Sequence, residues 1–196
     1  MLPQIHKHYS ENDKISLLIR HADRDKIPTG EFGNDVLLNE KGKEKALSFG
    51  ESLLELKINK IFTSPVQRCV QTAKYIAKGY GKPLEITQSH ELGNPGLHIS
   101  DDQTAGKFFL TEGFDELYYR ITHNIDIPGI SVTKEFNANM TNFLIENTKE
   151  NGLTIFVTHD LLIAHYHFSI NGKIYPKDDW VKYLDGLILK NGRYEE

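Results

Sequence analysis

The sequence predicts an α/β protein: a three-layer α/β/α sandwich around a mainly parallel central sheet, with a small helical cap inserted into it. Three observations carry this. Four short apolar runs, 15–19, 59–63, 84–87 and 153–157, have the length of buried strands. Stretches of helical spacing separate them, and strands alternating with helices imply parallel pairing with helices on both faces. Three of the runs lead into chemistry-bearing side chains: Arg20-His21, Ser64-Pro65 followed by Arg68, and Thr158-His159-Asp160. In open α/β sheets ligands bind beyond the carboxyl ends of strands.

Each element follows from its residues. Residues 1–13 are polar and read as a loosely held arm. Strand one (15–19) is followed by a loop over 22–38, rich in Asp, Gly and Pro. Asn39 is an N-cap candidate, and Ala46, Phe49, Leu53 and Leu56 space a helix over 40–56. Strand two covers 59–63. Pro65 suits a helix start, and the helix runs from Val66 to Lys78. Residues 84–87 form a short third strand. Between His90 and Ile130 the periodicity weakens while Gly and Pro recur, so 90–130 reads as a cap insertion within a single domain spanning 1–196. A helix over 132–149 places Phe136, Met140, Phe143 and Leu144 on one side. Strand four (153–157) precedes a helix over 161–169, and 187–189 reads as a closing edge strand.

With 196 residues the chain can bury a full core. Its 39% hydrophobic and 26% charged content is ordinary for a soluble globular protein. A net charge of −4 argues against the basic face that nucleic acid requires. No apolar stretch approaches the ~20 residues that cross a bilayer, so no membrane partner is expected. Residues 1–14 lack the apolar core of a signal peptide, and a cytoplasmic location is the expectation. The single cysteine, Cys69, permits no internal disulfide and reads as a small buried residue.

The local basic cluster stands out against this mildly acidic background. Arginine offers a planar fork of N–H groups that fits phosphate oxygens and stays charged; Arg20, Arg24 and Arg68 are the candidates. A neutral histidine can attack phosphorus and divide a hard hydrolysis into two easier steps, while a second one donates to the equatorial oxygens. His21 and His159 stand where such groups are needed. The leaving oxygen needs a proton, for which Asp160 and Glu91 are the candidates. His98 and His123, in the cap, are expected at the surface, and His165 and His167 are expected to pack or face solvent.

These residues form motifs in a familiar order. Arg20-His21-Ala22 resembles an Arg-His-Gly motif after strand one. Leu38-Asn39-Glu40-Lys41-Gly42 with Ala46, Ser64-Pro65-Val66-Gln67-Arg68 with Thr72-Ala73, and Val157-Thr158-His159 follow it. Together they resemble the histidine phosphatase superfamily, which includes the phosphoglycerate mutases and the histidine acid phosphatases. The resemblance implies a metal-independent phosphomonoesterase without a cofactor, acting on a small phosphorylated metabolite or a phosphoprotein. It implies His21 as the phosphorylated nucleophile, and Arg20, Arg68 and His159 as the phosphate pocket. The larger branch implies Glu91 as proton donor. The acid-phosphatase branch implies Asp160, with Arg24 beside Arg20, and Asp160 is the favoured assignment. Phosphoglycerate mutase-type phosphoryl transfer and phosphohistidine hydrolysis are the alternatives.

Overall fold

In the computed structural model, which describes residues 1–28 and 31–196, apolar runs become strands covered on both faces. Strands β1 (Lys14–Arg20) and β4 (Gly152–Thr158) are buried almost throughout, as central parallel strands are. With β2 (Ile58–Thr63), β3 (Glu85–Gln88), β5 (Gly186–Lys190) and β6 (Arg193–Glu195) they build one sheet in the order β3-β2-β4-β1-β5-β6. The first four are mutually parallel; β5 runs antiparallel to β1, and β6 to β5.

Alternation along the strands separates two cores. Ile15, Leu17 and Ile19 face α2 (Glu40–Glu51) and α3 (Gln67–Tyr80). Leu18, Phe62 and Phe156 face α5 (Thr133–Asn147) and α6 (Asp160–Asn171). The three-layer sandwich is therefore present. Residues 90–130 hold a 3-10 turn (His90–Leu92) and α4 (Asp102–Thr122), interrupted at Gly113 (φ 82°). Phe108, Leu117, Ile121 and Ile127 form a third apolar cluster that rests on Leu161 and Phe168 of α6.

Helices α2 and α3 meet backbone to backbone. A Cβ at Gly50 would lie 2.1 Å from the Ile76 carbonyl oxygen, and one at Gly79 would lie 2.0 Å from that of Leu47. In an exposed helix Gly→Ala adds up to about 1 kcal/mol of stability. Here the sign reverses: Gly79→Ala is expected to cost about 1–3 kcal/mol or more, by overpacking, read as a lower urea midpoint. An unchanged or raised midpoint would contradict this packing.

Four details differ from the sequence reading. The arm contains α1 (Leu2–His8), with proline in its first turn and Ile5 only 2% exposed; its one buried position left no periodicity to read. Helix α2 stops at Glu51, not 56. Leu53 and Leu56 stay buried because tight i→i+3 turns continue the chain (Leu53 N–H to Gly50 O, Leu56 N–H to Leu53 O). Pro65 stands before the N-cap Val66 rather than inside α3. Finally, β5 is not the edge: Asn191 and Gly192, both at positive φ (52° and 78°), turn the chain into β6, which is. An Asn-Gly pair is the hairpin signal for such a turn. No described helix is long and apolar enough to cross a membrane.

Candidate functional site

Sheet order brings the three chemistry-bearing strand ends together. β4 lies between β2 and β1, and the ladder continues one residue past each strand. Ser64 N–H donates to Val157 O (3.0 Å) and His21 N–H to Thr158 O (2.9 Å). Arg20-His21, Ser64 and His159 thus emerge side by side. Helix α3 starts immediately after β2 and sends Arg68, on its first turn, back across the same ends.

The hydrogen bonds define the state of both imidazoles. His21 is 2% exposed. Its Nδ1 lies 2.8 Å from Ala22 O, which only accepts, so Nδ1 carries the proton and Nε2 the lone pair. Arg68 Nε–H donates to that Nε2 at 3.1 Å. Arg68 Nη2 reaches His159 Nδ1 at 3.2 Å. Arginine only donates, so His159 protonates Nε2 and points it at Ser64 Oγ, 3.2 Å away. The third donor, Arg68 Nη1, is held by Gly33 O at 2.6 Å.

Electrostatics reinforce this. Burial first, then the His159 ring and the charges of Arg68 and Arg20, hold His21 well below the ordinary histidine range. Burial, then Arg68, hold His159 well below it too, with His98, Arg20 and Arg24 adding to the effect. Both are neutral at pH 7, the state a nucleophile requires. Burial pushes the Cys69 thiol up to about 12, so it stays protonated beside His159 and is no nucleophile.

Arg20 pairs through Nη2 with Asp160 (2.6 Å) and donates through Nη1 to Val181 O (2.5 Å). Among the described residues Arg20 makes no salt bridge with its chain neighbours Asp23 and Asp25: Asp23 pairs with Lys45 (2.9 Å) and Asp25 accepts from Asn39. Arg24 bonds Asp25 O (2.8 Å); its charge reaches the pocket, depressing Arg68 and His159, but it makes no hydrogen bond to either histidine. Glu91, in the 3-10 turn after β3, is exposed and accepts from Ser89 Oγ. Arg20, His21, Arg68, His159 and Asp160 are therefore one contiguous cluster, with Arg24 at its rim and Glu91 outside its hydrogen bonds.

Several contacts went unread in the sequence. Ser64 lay inside a quoted motif without a role. Gly93 has no room for a side chain: a Cβ there would sit 2.7 Å from His159 Cδ2 and 2.9 Å from Ser64 Oγ. Tyr183 lies over Arg20 and beside His21, in a segment with no motif to mark it. His98 corrects its surface assignment: it is 8% exposed, packed edge-on against Phe136, and burial takes it down to about 4. His123 is exposed as expected. His165 and His167 are buried and bonded, His167 between the hydroxyls of Tyr175 and Tyr194.

Such a cluster can bind a tetrahedral oxyanion. Its guanidinium groups supply charge and forked donors, and its neutral imidazoles supply a nucleophile and a donor.

Residues 16–167 match the model of the histidine phosphatase superfamily, branch 1. A curated relative, the 2,3-bisphosphoglycerate-dependent phosphoglycerate mutase of Thermoplasma acidophilum, is 29% identical over 98 residues. That stretch covers 48% of each chain, so the match spans about half the length of the relative. Among solved structures the fold resembles a mycobacterial glucosyl-3-phosphoglycerate phosphatase (TM-score 0.60, 17% identity, 93% of this chain and 96% of that one). It also resembles a phosphoglycerate mutase from Bacillus anthracis (0.60, 16%, 94% and 92%) and the protein histidine phosphatase SixA bound to tungstate (0.50, 14%, 92% and 92%). At these identities the likeness concerns the fold.

Proposed function

The chain belongs to the histidine phosphatase superfamily, and on that premise we propose that it hydrolyses phosphomonoesters through a covalent phosphohistidine on His21. The observation that carries this is the orientation of His21: Nδ1–H is committed to Ala22 O, and the lone pair on Nε2 faces Arg68. As a phosphate enters, the Arg68 N–H resting on Nε2 turns to a phosphate oxygen. Nε2 then attacks phosphorus, the bond to the leaving oxygen breaks, and that oxygen takes a proton from Asp160, which enters the step as the carboxylic acid, its other oxygen still accepting from Arg20. In the second step water attacks phosphorus and gives its proton to the Asp160 carboxylate. The N–P bond breaks and inorganic phosphate leaves. His159, Arg20, Arg24 and Arg68 hold the oxygens as charge spreads over them.

Asp160 is proposed as the acid because it is the carboxyl group in contact with the arginine–histidine cluster, through Arg20; the match to branch 1 rather than to the acid-phosphatase branch supports Glu91 as the alternative donor. Residues 90–130 are assigned as the cap: Gly93 lies against His159, and Phe109 of α4 stacks on Phe32 of the loop after β1. The substrate is a small phosphorylated metabolite or a phosphoprotein. The name of the curated relative supports a second reading, phosphoryl transfer within one substrate. Inorganic phosphate rather than an isomerised product from 3-phosphoglycerate supports hydrolysis; isomerised product alone would replace it.

A leaving-group series tests the acid. Asp160→Asn is expected to slow an alkyl phosphate by about 10²-fold or more, and p-nitrophenyl phosphate, whose phenolate needs little protonation, by less than about tenfold. Should Glu91→Gln give that split and Asp160→Asn not, Glu91 is the donor.

A further inference from the structure

Arg20 is held by a segment outside the region matched to the family, which ends at residue 167. Its backbone N–H donates to Asp185 O (2.9 Å) and its carbonyl accepts from Leu184 N–H (3.2 Å). Its Nη1 donates to Val181 O (2.5 Å). Above it lies the half-buried ring of Tyr183, whose centre is 4.1 Å from the guanidinium carbon and 5.7 Å from the centre of the His21 ring. One aromatic ring thus touches both the guanidinium and the imidazole.

The chain bends sharply to achieve this. Leu184, the next residue, sits at φ 58° with its side chain in the core. A bulky residue is disfavoured in the left-handed region. Such conformations persist where surrounding contacts over-determine them, and they gather at functional sites. The ring also has a mechanical task. Asp160 and Val181 O hold the two Nη atoms at one end of the guanidinium, while Nε is buried without a partner among the described residues. In-plane bonds at one end resist sliding but not tilting; an aromatic face stacked on the guanidinium resists tilting.

We propose that Tyr183 is a positioning residue: its ring fixes the plane of the Arg20 guanidinium beside His21, so that its charge and forked N–H donors are held in place for a phosphate oxygen. This rests on the phosphate-pocket reading above. The ring, not the hydroxyl, carries the role, and the role depends on a planar guanidinium.

Binding of inorganic phosphate, measured by titration calorimetry, tests it without turnover. Tyr183→Leu is expected to weaken phosphate binding by about tenfold and to lower kcat/KM for p-nitrophenyl phosphate by a similar factor. Tyr183→Phe is expected to restore both to within about threefold of the native protein. In an Arg20→Lys background, which has no plane to stack, Tyr183→Leu should change phosphate affinity by less than about threefold. Tyr183→Met, a second non-aromatic variant, is read the same way should Leu impair folding. Three results would overturn the proposal: full phosphate affinity in Tyr183→Leu, a Tyr183→Phe protein as impaired as Tyr183→Leu, or the same tenfold loss in the Arg20→Lys background. A native protein that binds phosphate but hydrolyses nothing refutes the hydrolase reading alone. One that binds no phosphate removes the pocket and this inference together.

Discussion

His21→Ala is expected to lower kcat for p-nitrophenyl phosphate by about 10⁴-fold or more, with the native circular dichroism spectrum retained. The reasoning starts from geometry. His21 stands at the end of β1, where one ring nitrogen is committed to Ala22 O and the other bears the lone pair. Remove it and the proposed nucleophile is gone: Cys69 is held protonated by burial, and His159 is the residue proposed to hold the phosphate oxygens. The pocket itself survives, because Arg68 keeps Gly33 O and His159 as partners. The variant should therefore still bind inorganic phosphate. Acid pH should act on the native enzyme only late. His21 is held well below the usual histidine range, so it stays unprotonated, and competent to attack, as the pH falls through about 6.5, where a free histidine begins to charge.

Arg68 carries the second large effect. Its three donor nitrogens are divided among His21, His159 and Gly33 O, so it ties both imidazoles to the loop after β1. Arg68→Ala is expected to lower kcat/KM by about 10³-fold, the scale of losing a preorganised transition-state donor. Arg68→Lys should recover little, because a lysine ammonium is a point charge with no fork to span two rings. The charge of Arg68 also depresses both histidines. NMR titration of Arg68→Ala should therefore show His21 and His159 shifted upward relative to the native protein. A Lys variant as active as the native enzyme, with both histidines unmoved, would mean that Arg68 is not the hub.

The chain order of the site was legible because each part stands where an apolar run ends. Ile15–Ile19 leads into Arg20-His21 and Leu153–Val157 into His159-Asp160, and parallel pairing of β1 with β4 makes these neighbours. Arg68 was legible by its distance from Ser64-Pro65, which sets it on the first turn of α3. What the sequence hid is long-range or backbone-mediated. Nothing local marks Tyr183 or Val181, since their partner Arg20 lies some 160 positions away in the chain. The Gly33 carbonyl on Arg68 is a backbone atom and leaves no residue-type signal. Helix α1 has one buried side chain, too few for a period, and the end of α2 was hidden because Leu53 and Leu56 suit a 3-10 turn as well as a helix. Between the two candidate acids the sequence favoured Asp160 without excluding Glu91; in the fold Asp160 contacts Arg20, while Glu91 accepts from Ser89 Oγ.

The most direct measurement is capture of the intermediate. Native enzyme mixed with excess p-nitrophenyl phosphate is quenched in alkali, where phosphohistidine survives, and digested for mass spectrometry. The account predicts one phosphoryl group on the His21 peptide, lost on acid treatment and absent from His21→Ala. Rapid turnover with no such adduct, or an adduct on His159 or another residue, would contradict it.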